Sequence, residues 1–125
     1  MITGVVSVDR EAVMQLEIID GLGARSALSA VVDTGYTGWL TLPPDLIAKL
    51  GLMWIGKGHG ALADGTSFVT YRYNATIIWD GQPISIQVDS LDSDVLVGMS
   101  LMYGYEFLMP IVDGSTFTLR NLVGY

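Results

Sequence analysis

The sequence predicts a mainly β domain, a closed or sandwich-like barrel with one or two short helices. Three observations predict it. Four Asp-Gly pairs recur along the chain: Asp20-Gly21, Asp64-Gly65, Asp80-Gly81 and Asp113-Gly114. Asp-Gly between apolar or alternating runs is a strong hairpin signal, because both residues tolerate the positive φ angles of tight turns. The runs beside these pairs are rich in Val, Ile, Thr and aromatic residues, which suit half-buried strands. Helix signals, by contrast, are few.

Taken in order, Met14-Gln15-Leu16-Glu17-Ile18 alternates before the first pair, and residues 26–33 follow it. Within the latter, Leu28-Ser29-Ala30-Val31-Val32 reads as a buried strand ending at Asp33. Residues 43–51 have proline at the start, apolar residues at helical spacing and glycine at the end, which predicts a short helix. Thr76-Ile77-Ile78-Trp79 and Ile84-Ser85-Ile86-Gln87-Val88 flank the third pair. A second short helix is expected over residues 100–105. Ile111-Val112 and Thr116-Phe117-Thr118-Leu119 flank the fourth pair as strands. No linker or composition shift divides the 125 residues, so a single domain spanning 1–125 is expected.

Composition narrows the functions. Half the residues are hydrophobic and 15% are charged, a balance that supports a packed core and not a disordered chain. The net charge of −7 and only six scattered basic residues argue against a nucleic-acid partner. No apolar run approaches the ~20 residues needed to span a bilayer, and the N-terminus lacks a signal-peptide pattern. The expected location is the cytoplasm, with no membrane partner. The chain has no cysteine, which excludes thiol catalysis and zinc-thiolate sites, and one histidine, His59, which excludes multi-histidine metal sites.

A carboxylate directly after an apolar strand is either a turn cap or a functional group, since burying it alone is costly. Asp33 continues as Asp33-Thr34-Gly35-Tyr36-Thr37-Gly38-Trp39-Leu40-Thr41-Leu42-Pro43, and some 60 residues later comes Asp94-Val95-Leu96-Val97-Gly98-Met99-Ser100-Leu101. From about Val31 to Leu101 the sequence resembles the retropepsin-like (retroviral-type) aspartic proteases, particularly their small soluble prokaryotic members. The shared pattern is an apolar run into Asp-Thr-Gly, a flap hairpin, then two apolar residues and a glycine.

The resemblance implies a closed retropepsin-like acid-protease barrel and an aspartic endopeptidase. Asp33 would be the catalytic carboxylate, Thr34 would hydrogen-bond across a dimer axis, and Gly35 would allow close backbone approach. The hairpin over residues 61–70 would be the flap, with Ala63, Asp64 and Gly65 at its tip touching substrate. Tyr36, Val97 and Gly98 would join them in the substrate site. Aspartic proteolysis uses two carboxylates sharing one proton. One Asp-Thr-Gly in a chain this short therefore implies a homodimer acting on a peptide or protein substrate, with no cofactor and no metal. Two departures stand out. Tyr36 replaces the usual small residue, and Met99 replaces the arginine that helps hold viral dimers. The alternative is a catalytically silent dimer of the same fold that binds peptides or a protein partner.

Other residues read more plainly. His59, among the glycines of residues 56–60, is expected in a solvated loop. That segment lacks the ending of a phosphate-binding loop. Trp39, Trp54 and Trp79 are expected in core or interface, and Met99, Met102 and Met109 against the barrel. Asp89, Asp92 and Asp94 read as a solvated turn, because the glycine and terminal glutamate of a calcium loop are missing.

Overall fold

The computed structural model describes residues 1–61 and 64–124. Among these, the elements run β1 (Ile2–Val6), β2 (Ala12–Ile19), β3 (Arg25–Val32), β4 (Leu40–Leu42), α1 (Pro44–Leu50), β5 (Met53–Ala61), β6 (Ser67–Trp79), β7 (Gln82–Ser90), β8 (Leu96–Val97), β9 (Tyr105–Leu108) and β10 (Thr116–Asn121). The strands form one sheet in the order β5-β6-β7-β4-β8-β3-β2-β1-β10-β9. A further pairing sets Glu17, Ile18 and Ile19 of β2 opposite Ile78, Ile77 and Thr76 of β6 and closes the middle six strands into a ring. One edge of β2 is thus shared, its start pairing with β1 and its end with β6.

Alternation decides which side chains face inward. In β2, Ala12, Met14, Leu16 and Ile18 are buried while Gln15 and Glu17 point out. Ile77, Val88, Leu40 and Phe117 join them in the core, and each such side chain contributes about 1.5–3 kcal/mol by leaving water. All three residues of β4 are buried, as its place between β7 and β8 requires. Among the described residues no helix is long and apolar enough to cross a membrane.

The turn chemistry explains most connections. Between β6 and β7, Asp80 (φ 51°) and Gly81 (φ 83°) are both left-handed, the geometry a two-residue hairpin turn needs. At the β2–β3 turn, Asp20 Oδ1 accepts the amides of Leu22 and Ala24 at 2.9 Å each. The left-handed residue there is Gly23 and not Gly21. The helix falls where expected. Pro44 opens it, and left-handed Gly51 (φ 64°) closes it by donating its amide to Ala48 O.

Four expectations need correction. Residues 99–104 are turns, not a second helix. One helix-type bond forms, Met102 N–H to Gly98 O at 3.3 Å, before Gly104 turns left-handed at φ 86°. A run that short does not propagate. Ile111 and Val112 are exposed in the connection between β9 and β10, where Pro110 supplies no amide to a ladder. His59 lies in a strand and not a loop, opposite Val69 in the β5–β6 ladder. Its neighbours Gly58 and Gly60 leave room for the Arg72 and Phe68 side chains, which a Cβ at either glycine would strike. Met99, expected against the barrel, is exposed, unlike buried Met102. The tryptophans divide between core and surface, Trp79 buried edge-on to Tyr105 and Trp39 and Trp54 36% and 56% exposed, which leaves the expectation of core or interface unopposed.

Candidate active site

Asp33 stands where β3 ends beside its parallel neighbour β8, with β4 returning on the far side of β8. The ladder runs up to the residue itself. Val31 N–H donates to Val95 O at 2.8 Å, and Asp33 N–H donates to Val97 O at 2.9 Å. The chain then turns sharply. Gly35 N–H donates to Asp33 Oδ1 at 2.9 Å, and Tyr36 N–H donates to Asp33 O at 3.2 Å. The carboxylate therefore does cap a turn, but with one oxygen only. It is half-buried, and among the described residues no cation pairs with it. Thr34 and Gly35 are exposed at the apex, and the Thr34 hydroxyl makes no hydrogen bond within the described residues.

Three consecutive amides hold this loop from below. Gly98 N–H donates to Trp39 O at 3.0 Å, Met99 N–H to Tyr36 O at 2.8 Å, and Ser100 N–H to Gly38 O at 3.1 Å. The Ser100 hydroxyl adds a bond to Thr37 O at 2.6 Å. Glycine is needed at 98 because a Cβ there would run into the Gly38 carbonyl and the Tyr36 ring. Val97 and Gly98 are both buried, and their contacts are with the loop that presents Asp33. The structure brings them beneath the loop and leaves Thr34, Gly35 and Tyr36 on it.

Tyr36 reaches across to a second layer. Its hydroxyl donates to Asp89 Oδ2 at 2.5 Å, and Arg72 Nε donates to Asp89 Oδ1 at 3.1 Å. Asp89 belongs to β7 and Arg72 to β6, where they sit opposite each other in the ladder. Burial first, and the neighbouring Asp89 carboxylate second, push the Tyr36 phenol well above its ordinary value. The bond to Asp89 thus stays with a protonated donor. Asp89 is therefore no member of a solvated acidic turn, unlike exposed Asp92 and Asp94. Neither Arg72 nor Asp89 was expected at the site. The available signal was weak, an arginine in the mostly polar register Thr70, Arg72, Asn74 and Thr76 that alternates with core-facing Ala75, Ile77 and Trp79.

The β5–β6 hairpin rises over this loop. Its strands pair from Met53 opposite Asn74 to Ala61 opposite Ser67, with a bulge between Trp54 and Gly56. At its tip Gly65 is left-handed (φ 89°), and Asp64 Oδ1 accepts Thr66 N–H at 2.9 Å. That contact with Thr66 holds the Asp64 carboxyl below its ordinary range. Ala63 lies outside the described residues. Between hairpin and loop is a cavity of about 250 Å³ touching Gly35, Tyr36, His59, Phe68, Arg72 and Asp89. On the other side of the loop a groove of about 380 Å³ holds Asp33 and Thr34 beside Arg10, Phe107 and Met109.

A ring of strands with an overhanging hairpin resembles the fold of the retroviral proteases. The EIAV protease complexed with the inhibitor HBY-793 superposes with a TM-score of 0.55 at 18% identity, over 76% of this chain and 88% of that one. The foamy viral protease-reverse transcriptase in complex with an RNA/DNA hybrid gives a TM-score of 0.55 at 17% identity, over 80% of this chain and 13% of that much longer one. At these identities the likeness is one of fold. No protein-family model matches the chain, and no curated protein matches it in sequence.

Proposed function

We propose that the protein is an aspartic endopeptidase whose active site forms from two copies of Asp33 in a homodimer. The observation that carries this reading is the placement of Asp33. Its carboxylate is half-buried and unpaired by any cation among the described residues, on a loop braced by three amides from residues 98–100. A lone carboxylate performs no peptide hydrolysis of this kind, whereas two facing carboxylates share a proton and divide the work. The ionised one takes a proton from water as the water oxygen adds to the peptide carbonyl carbon. The protonated one gives its proton to the carbonyl oxygen. Collapse of the resulting diol breaks the C–N bond, and the nitrogen leaves with a proton returned by the dyad.

The surroundings support a paired arrangement. The unpartnered Thr34 hydroxyl and exposed Gly35 sit at the apex, where a symmetry-related loop would meet them. Beside the loop, Met99 is 47% and Tyr103 76% exposed. An apolar patch in that place suits a subunit contact made by packing, where viral relatives use an arginine. The β5–β6 hairpin would close over an extended peptide as the flap, with Asp64 and Gly65 at its tip. A diverse peptide pool incubated between pH 4 and 7 tests the reading by mass spectrometry. Cleavage by the parent protein that vanishes in Asp33→Asn supports it. Cleavage that survives in Asp33→Asn excludes Asp33 as the catalytic group. A folded dimer that cleaves nothing favours the peptide-binding alternative.

A further inference from the structure

The cavity between hairpin and catalytic loop has an unusual polar inventory. Two of its hydroxyls are already engaged with main chain. Thr41 Oγ1 donates to Asp94 O at 3.1 Å, and Thr70 Oγ1 donates to Ser90 O at 2.9 Å. Both Asp89 oxygens already accept a bond, one from Arg72 Nε and one from the Tyr36 hydroxyl. What remains is donor capacity. A guanidinium carries five N–H groups in a planar fork, and Arg72 uses its Nε alone among the described residues. Phe68 and Leu91 supply apolar wall beside these donors.

We propose that this cavity is a side-chain subsite selective for glutamate, with Arg72 as the specificity-determining residue. The inference rests on the peptide cleft of the proposed function. The terminal nitrogens of Arg72 would grip the carboxylate, while Phe68 and Leu91 cover the two methylenes of the stem. Size agrees, since about 250 Å³ is ample for one long side chain. Overall charge opposes this preference, because the chain carries −7. That field is screened beyond about 8 Å at physiological salt, so the selectivity is a contact effect of Arg72, whose free N–H groups meet the ligand while Asp89, with both oxygens already bonded, offsets its charge. Asp89 holds the guanidinium from its Nε side and leaves the other edge of the fork for the ligand, the bidentate geometry arginine favours.

Retention of peptides on immobilised Asp33→Asn protein tests the subsite without needing turnover. A pool of octapeptides is prepared in which one position at a time carries Glu or its isostere Gln. Retained peptides are read by mass spectrometry. At one position Glu should be enriched about tenfold over Gln, the scale of a charge-assisted against a neutral hydrogen bond. The enrichment should disappear when Arg72→Gln is added. Equal retention of the two peptides overturns the proposal, as does retention of none, or a Glu preference that survives Arg72→Gln. An equal Glu-to-Gln ratio on the Arg72-bearing protein overturns the proposal by itself, and Arg72→Lys, which keeps the charge without the fork, serves as the second variant if Arg72→Gln fails to fold. Glu-selective retention without any cleavage by the Asp33-bearing protein would sink the peptidase and keep the subsite. Cleavage without a Glu preference would do the reverse.

Discussion

Tyr36 follows the Asp-Thr-Gly triplet where a small residue is usual, and its hydroxyl ties the loop to Asp89 at 2.5 Å. Replacing it with phenylalanine keeps the ring that packs on Gly98 and removes that tie together with a longer bond to Leu40 O at 3.4 Å. Tyr36→Phe should cost about 1–2 kcal/mol in urea unfolding, since it leaves a half-buried carboxylate short of one donor. The pH response gives a second handle. Because the folded phenol is raised above its ordinary value of 10.0, the folded state keeps this proton where the unfolded chain loses it. The stabilisation is complete below about pH 10 and falls as pH rises further. Parent stability should decline above pH 10 more steeply than that of Tyr36→Phe, and equal slopes would contradict the network. Gly98→Ala should cost about 1–3 kcal/mol, because the new Cβ meets the Gly38 carbonyl, which cannot move without breaking its bond to Ser100. At this scale the sequence reveals Asp33 and Gly98 through their local pattern. It hides what Tyr36 does, because the partner lies 53 residues away and only strand register brings it near.

Elements were legible where local chemistry dictates them. Asp80-Gly81 forms a hairpin turn because both residues occupy left-handed backbone, and α1 runs between a proline start and a glycine stop. Gly81→Ala should therefore lower stability by about 1 kcal/mol, read as a shifted urea midpoint at unchanged slope. Glycines misled the reading at residues 56–60, where they look like loop and instead make space for Arg72 and Phe68 across the strand pair. The helix expected at 100–105 failed for a related reason. Leu101 and Met102 are buried, but Gly104 ends the winding after one turn. Ile111 and Val112 have strand-forming side chains yet find no ladder beside Pro110. Strand propensity without a partner strand decides nothing.

The whole molecule is a ring of six strands closed by β2 and β6, with a hairpin on one side and β1, β10 and β9 on the other. Ring closure depends on pairings between residues some sixty apart, such as Ile18 opposite Ile77. No local pattern states them, and the sequence-level expectation came from motif order instead. The ring lifts one Asp33 per chain. The central claim is that two of these make one site, and subunit mixing tests it most directly. Parent protein is mixed with increasing Asp33→Asn at constant total concentration, allowed to exchange, and assayed on one cleaved peptide. With paired carboxylates, activity follows the square of the parent fraction, so an equal mixture retains about a quarter of the parent activity, as random pairing of subunits in a two-fold dimer requires. Activity proportional to the parent fraction would mean that each chain works alone and would contradict the shared site.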